Sequence, residues 1–180
     1  MEIIKTSIKG LVIIQPKVYS DKRGYFMESF KEDFISENFP NIHFIQDNES
    51  KSSYGVLRGL HYQKAPFEQS KLVRVVEGEV LDVAVDLRKG SESFGKHESV
   101  LLSSQNKRQL FIPKGFAHGF VVLSKQAIFI YKVDNPYSKE SESGILFSDP
   151  SLNIDWKIRE DELIISEKDK QLKTLNDFQS

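Results

Sequence analysis

The chain has no cysteine, a single tryptophan and two methionines among its 180 residues. Without thiols there are no disulfide staples, thiolate metal sites, thiol nucleophiles or redox couples. An excess of either charge is also missing. Twenty-five lysines and arginines stand against 26 aspartates and glutamates, a formal net charge of −1. No nucleic-acid partner is expected from that balance, although a few local cations suffice for an anionic ligand. No apolar run approaches the roughly 20 residues that a spanning helix needs, so no membrane partner is expected. Met1 to Lys5 lacks the basic segment and apolar stretch of a secretory signal. With the lack of thiols, this fits a cytoplasmic protein. Also missing are the phosphate-loop pattern, the Gly-x-Ser-x-Gly nucleophile elbow and any His-x-His pair. Phosphate-loop NTP hydrolysis, the serine elbow and a two-histidine metal strand lose their usual signatures, and no metal is expected.

What is present is an ordinary globular composition, 39% hydrophobic and 28% charged. It is long enough to bury a core as one domain over residues 1–180. Short apolar, β-branched and aromatic runs recur between turn residues, the pattern of a sandwich or barrel. Expected strands are Leu11–Ile14, Lys71–Val76, Val80–Leu87, Glu98–Ser103, Lys107–Ile112, Gly119–Leu123 and Ala127–Val133. The runs flanking Gly78 read as a hairpin pair. In the second of them, Leu81, Val83, Val85 and Leu87 share one face, and Asp82, Ala84 and Asp86 share the other. Two carboxylates on a strand face suggest that it lines a polar cavity. Helix is sparse: Lys31–Asn38, with Phe34 and Ile35 inward, and a C-terminal turn capped at Ser166. Six to nine strands in an all-β, closed or double-sheet architecture are expected, with helices at the margins.

Of the four histidines, His43 and His97 sit in unremarkable surroundings. His61 does not. Arg58-Gly59-Leu60-His61-Tyr62-Gln63 packs a cation, a glycine, an imidazole and two hydrogen-bonding side chains into six residues. Regular alternation puts Gly59, His61 and Gln63 on one face and Arg58, Leu60 and Tyr62 on the other. His118, in Pro113-Lys114-Gly115-Phe116-Ala117-His118-Gly119-Phe120, either faces a ligand or belongs to a tight structural corner. With thiols absent and the serine elbow missing, acid–base work by His, Tyr, Lys and Asp remains. Tyr131, between Ile130 and Lys132, either points its hydroxyl inward or packs.

These segments together resemble the dTDP-4-dehydrorhamnose 3,5-epimerase family, cupin-type jelly-roll enzymes. The blocks that carry the resemblance are Asp21-x-Arg23-Gly24-x-Phe26-x-Glu28, Gln46-Asp47-Asn48-x-Ser50, Arg58 to Gln63, and Lys71-Leu72-Val73-Arg74-Val75. They continue through Asp82 to Arg88, Ile112 to Phe120, Tyr131-Lys132, Asp149-Pro150, Ile154-x-Trp156 and Ser166-x-Lys168-Asp169. The resemblance runs from about Ile3 to Lys170. It implies a jelly-roll, cupin-like double-sheet barrel, a homodimer, a dTDP-linked nucleotide-sugar substrate and no cofactor. It further implies His61 as general base, Asp169 as its orienting partner, Tyr131 as acid on the opposite ring face, and Lys71 beside the sugar ketone. Arg58 and His118 line that site. Arg23, Phe26, Glu28, Gln46, Asp47, Asn48, Tyr137, Glu142 and Lys168 are implied in holding the nucleotide sugar, with Arg23 and its neighbours reaching into a partner subunit.

Elementary chemistry agrees with those roles. A C–H beside a ketone is too weak an acid for an unaided imidazole, so a cation at the ketone oxygen is required to stabilise the enolate. Inversion then requires a donor on the other face. Asp169 is also placed to cap a helix from Ser166, and both roles are compatible. Asp134 stands where many relatives have threonine, and Phe147-Ser148 where Trp-Asn is frequent. Neither position belongs to the proton-transfer set, which leaves room for altered sugar selectivity. A single-site epimerase shares the same residues. A non-catalytic sugar-binding cupin would lack the base or the acid.

Overall fold

The computed structural model describes residues 1–179; Ser180, the last residue of the expected domain, lies outside them. Two antiparallel sheets face each other. The first runs in the order β1 (Glu2–Lys5), β2 (Val12–Gln15), β10 (Gln109–Ile112), β7 (Lys71–Glu77), β12 (Gln126–Val133) and β5 (Gln46–Ser53). The second runs β13 (Glu142–Gly144), β6 (Leu57–Gln63), β11 (Phe116–Val122), β8 (Glu79–Asp86) and β9 (His97–Ser103). A hairpin of β3 (Val18–Asp21) and β4 (Gly24–Met27) stands apart from both. Helices are short and marginal: α1 (Glu32–Asn38), α2 (Glu167–Lys170) and α3 (Leu175–Gln179). This is an all-β, cupin-like jelly roll.

Three apolar clusters hold it together. Between the sheets lie Val73, Val75, Val80, Ala84, Phe120 and Phe129. On the outer face of the second sheet, Leu81, Val83 and Val85 pack under the C-terminal segment through Ile145, Leu152, Trp156 and Leu175. Strand β8 is therefore covered on both sides, which explains its nearly continuous apolar run. The third cluster seats Ile35 of α1 on Val12, Ile14, Leu72 and Phe111 of the first sheet. Phe39 stacks on Phe111 at 4.0 Å. Full burial of each such side chain contributes roughly 1.5–3 kcal/mol.

Three expectations require correction. The runs flanking Gly78 are not a hairpin pair: β7 lies in the first sheet and β8 in the second. The chain turns a corner between sheets at Gly78, where φ is +77° and a Cβ would lie 2.0 Å from the Gln126 carbonyl. The strands number thirteen among the described residues rather than six to nine. The additional ones include β5, with the sequence QDNESKSS, an edge strand whose residues are largely exposed and so carry no apolar alternation. Finally, Asp82 and Asp86 share the inner face but not one cavity. Asp86 sits at the far end, binding Arg88, Ser91 and Ser93; those donors hold its carboxyl far below the usual range against the opposing effect of burial.

Candidate active site

The space between the sheets opens into a cleft of about 620 Å³. Each sheet contributes one wall, and the C-terminal segment contributes a third. From the second sheet come Arg58, His61 and His118. His61 and His118 are directly opposed on β6 and β11, so their side chains emerge on the same face. Arg58 joins them against the alternation rule. The register moves from His118↔His61 to Phe120↔Arg58, so Gly59 and Leu60 together oppose Gly119. This bulge turns two residues an odd number apart toward one side. It requires glycine on both strands: a Cβ on Gly59, at φ +123°, would lie 2.5 Å from the Gly119 Cα. Placing Arg58 on the face opposite His61 is thereby corrected.

The first sheet supplies Asn48, Lys71, Phe129 and Tyr131. Tyr131 is paired with Val73 on one side and Asn48 on the other. Val73 shares a face with Lys71, so phenol and ammonium project into the same space. The stacked rings of Phe120 and Phe129, with centroids 4.2 Å apart, line the cleft beside them.

The third wall carries Ser166, Lys168 and Asp169. Ser166 caps α2, its hydroxyl accepting from the Asp169 backbone N–H at 3.1 Å. The same residue turns its carboxylate to His61, whose Nε2 lies 2.7 Å from Asp169 Oδ1. Burial pushes the Asp169 carboxyl upward, but the hydrogen bond and charge of His61, with smaller help from Gly59 and Ser166, hold it below the usual range. An ionised Asp169 fixes the proton on Nε2 and leaves Nδ1 with a lone pair.

A second imidazole–carboxylate pair lies in the second sheet. His118 Nε2 is 3.0 and 2.9 Å from the two oxygens of Asp82. Burial drives the His118 pKa down, as do the Lys71 and His61 charges, while Asp82 opposes them. Lys71 is pushed down to about 8 by burial, offset in part by the Asp82 and Glu142 charges. Tyr131 is raised by burial, with Arg58 opposing. At the rim, Glu142 accepts from Tyr137 at 2.9 Å and pairs with Lys168. The Lys168 and Tyr137 bonds outweigh burial and hold its carboxyl low.

Of the residues singled out from sequence, Asn48, Arg58, His61, Lys71, His118, Tyr131, Lys168 and Asp169 line this cleft. Tyr137 and Glu142 do not line it; they stand at its rim, joined to it through Lys168, and the Glu142 charge also acts on Lys71 and His61. Gln46 is exposed and donates to Asn48 Oδ1 at 2.7 Å. Asp47 lies on the other face of the first sheet, 2.8 Å from Lys132. Arg23 and Phe26 line a separate surface hollow on the β3–β4 hairpin, with Glu28 just beyond β4. Arg23 pairs with Asp21 at 2.6 Å. Asp134 and Phe147 lie outside the cleft, Phe147 accepting from the Trp156 indole. Sequence reasoning passes over Phe120, Phe129 and the placement of Asp82. The first two are findable by period two, from His118 and Tyr131. Among the described residues, no group of three or more His, Asp or Glu side chains is placed to hold a metal ion.

The family model described as dTDP-4-dehydrorhamnose 3,5-epimerase matches residues 5–177. A dTDP-4-dehydrorhamnose 3,5-epimerase of Shigella flexneri is 56% identical over 170 residues, 94% of this chain and 93% of the relative. The crystal structure of the Elizabethkingia anophelis enzyme of that name superposes with a TM-score of 0.94 at 54% identity, covering 98% of this chain and 97% of that one. A Legionella pneumophila dTDP-6-deoxy-D-glucose-3,5-epimerase, solved in complex with dTDP-4-keto-L-rhamnose, superposes at 0.93 with 52% identity over 97% and 93% of the two chains. With this match along nearly its full length, the chain belongs to the dTDP-4-dehydrorhamnose 3,5-epimerase family.

Proposed function

We propose that this isomerase inverts C3 and C5 of dTDP-4-dehydro-6-deoxy-D-glucose to give dTDP-4-dehydro-L-rhamnose. The observation that carries this is the division of the chemistry between walls. A carboxylate-oriented imidazole stands on one sheet, a phenol on the other, and an ammonium shares the cleft with both. His61 takes a proton from the carbon beside the ketone through Nδ1, and Asp169 stabilises the imidazolium that forms. The electron pair moves onto the ketone oxygen, where the Lys71 ammonium stabilises it in a partly dehydrated site. Tyr131 returns a proton from the other face, and the ketone re-forms with the centre inverted. Its raised pKa keeps the phenol protonated at neutral pH. The same cycle serves both carbons flanking the ketone.

Arg58, Lys71 and Lys168 supply cations to an anionic ligand. Arg23, Phe26 and Glu28 serve the site only if a second copy brings its hairpin over the cleft, and we include that homodimer in the proposal. Tyr19, Tyr25 and Phe26 expose 55%, 56% and 67% of their surface there, an apolar area suited to being covered. In the same reading the 1–180 chain is one cupin-like domain acting in the cytoplasm, where a nucleotide sugar is at hand.

The test is proton NMR of the 4-keto sugar nucleotide with the enzyme in deuterated water. Deuterium at both C3 and C5 is expected. Label at one centre only makes the enzyme a single-site epimerase, and label at neither rejects catalysis on this substrate.

A further inference from the structure

Asp134 follows directly on β12 and is nearly buried, with 3% of its side chain exposed. Neither carboxylate oxygen faces the cleft. Oδ1 accepts the Ser70 backbone N–H at 2.7 Å, and Oδ2 lies 3.2 Å from the Lys114 ammonium. These two contacts reach different strands. Ser70 immediately precedes Lys71, and Val133 is paired with Lys71 across the ladder. The carboxylate thus supplies the next rung beyond the last backbone pair. Lys114 lies in the short turn between β10 and β11. Ile112 of β10 pairs with Lys71 from its other side, and β11 carries His118.

One side chain therefore ties together the ends of the strands bearing Lys71, Tyr131 and His118. Neighbouring contacts close the same seam: Gln69 donates to the Asn135 carbonyl at 2.7 Å, and Gln63 to the Pro136 carbonyl at 3.1 Å. Only Asp134 brings a charge, and only it touches the residue next to Lys71. The Lys71 ammonium has no hydrogen bond or ion pair of its own among the described residues; Asp82 and Glu142 act on it through space. Its position is consequently set from its backbone. The charge-assisted bond at Ser70, the residue just before β7, is the nearest such side-chain constraint on that backbone.

We propose that Asp134 is a positioning residue for the proton transfer, fixing the start of β7 so that the Lys71 ammonium is held against the strands carrying Tyr131 and His118. This rests on the reading of Lys71 as the cation at the ketone oxygen.

The experiment compares wild type, Asp134→Ala, Asp134→Asn and Lys114→Met by deuterium exchange into the 4-keto sugar nucleotide, with dTDP affinity and Tm measured on the same samples. For Asp134→Ala, kcat is expected to fall on the order of 10–100-fold, because small misplacements of a catalytic group are costly. The dTDP affinity should stay within about twofold, since dTDP lacks the sugar ketone. The alkaline limb of kcat/KM should move upward, because a loosened β7 start admits water and relieves the burial that depresses Lys71 in the free enzyme. The charged and titratable groups that line the cleft with Lys71 (His118, His61, Tyr131, Arg58, Lys168 and Asp169), and Asp82 and Glu142 whose charges act on it from behind and from the rim, are unchanged by the substitution. Asp134→Asn keeps an acceptor for Ser70 and should retain kcat within about threefold, and Lys114→Met, which loses only the ion pair, likewise. If Asp134→Ala does not fold, Asp134→Val, which fills the site without offering Ser70 an acceptor, takes its place with the same expected loss and the same overturning results.

Exchange by wild type with Asp134→Ala unchanged in kcat overturns the inference. So does a loss in Asp134→Ala without movement of the alkaline limb, or a loss as large in Asp134→Asn. Absence of exchange in wild type overturns instead the proposed function on which it rests.

Discussion

The cleft contains two imidazole–carboxylate pairs that differ in almost everything except their chemistry. His61 and Asp169 come from distant parts of the chain and meet at a single contact of 2.7 Å, with 31% of the imidazole exposed to the cleft. His118 and Asp82 come from adjacent strands of one sheet and meet through one nitrogen and both oxygens, with the imidazole 7% and the carboxylate 0% exposed. A base needs a free nitrogen facing substrate and room to accept a proton; the first pair has both. The second is buried deeper, and burial disfavours its imidazolium. It is built to hold the wall next to Lys71. An His–Asp pair is thus not a function in itself. Exposure and the elements that hold it decide whether it moves protons or holds a wall.

The comparison breaks most sharply at His61. His61→Asn should lower kcat about 10⁴-fold, with dTDP affinity by calorimetry within about twofold of wild type. Asp169→Asn comes next, expected to lose about 10²-fold or more in kcat because the amide no longer fixes the productive tautomer. Its Tm should change little, as the Ser166 cap on α2 uses the backbone N–H. Asp82→Asn should reverse that profile: about tenfold or less in kcat, but roughly 1–3 kcal/mol in stability by urea denaturation, since a buried, doubly engaged carboxylate is replaced. If Asp82→Asn instead cost as much activity as Asp169→Asn, the division of roles between the pairs would be wrong.

Lys71 provides the pH test. Its pKa of about 8 lies below the ordinary lysine value, so the ammonium is the main form below pH 8 and is lost above it. kcat/KM, which reports the free enzyme, should therefore decline on the alkaline side near that value. The sign for stability is opposite. A buried ammonium disfavours the folded state wherever it is charged, and that penalty fades as pH rises from about 8 toward 10.5. Lys71→Met should abolish the alkaline limb along with most activity, and raise Tm at pH 7 by on the order of 3 °C.

The legibility of this molecule in its sequence follows the same division. Strands with a buried face announced themselves through apolar alternation, and β8, β9 and β12 stand within a residue or two of where that alternation puts them. Strands without one did not: β5 is polar along its whole length, and its placement depends on pairing with β12. The Gly78 turn misled because local sequence reads a tight turn but not whether the two strands it joins pair or part. Regular alternation puts Arg58 on the wrong face because a bulge depends on the partner strand, here on Gly119 allowing close approach. The candidate site was legible as residue types in ordered blocks. Its convergence from two sheets and a C-terminal helix was supplied by the fold. Asp82 is legible as a carboxylate on a strand face, but its imidazole partner lies 36 positions away.

The central claim is that proton removal and proton return occur from opposite walls. It is tested most directly by Tyr131→Phe incubated with the 4-keto sugar nucleotide in deuterated water. The account predicts deuterium entering beside the ketone with configuration retained, because His61 still removes the proton and returns a solvent deuteron to the same face, while inversion falls by about 10²-fold or more. Inversion continuing at the wild-type rate would contradict it.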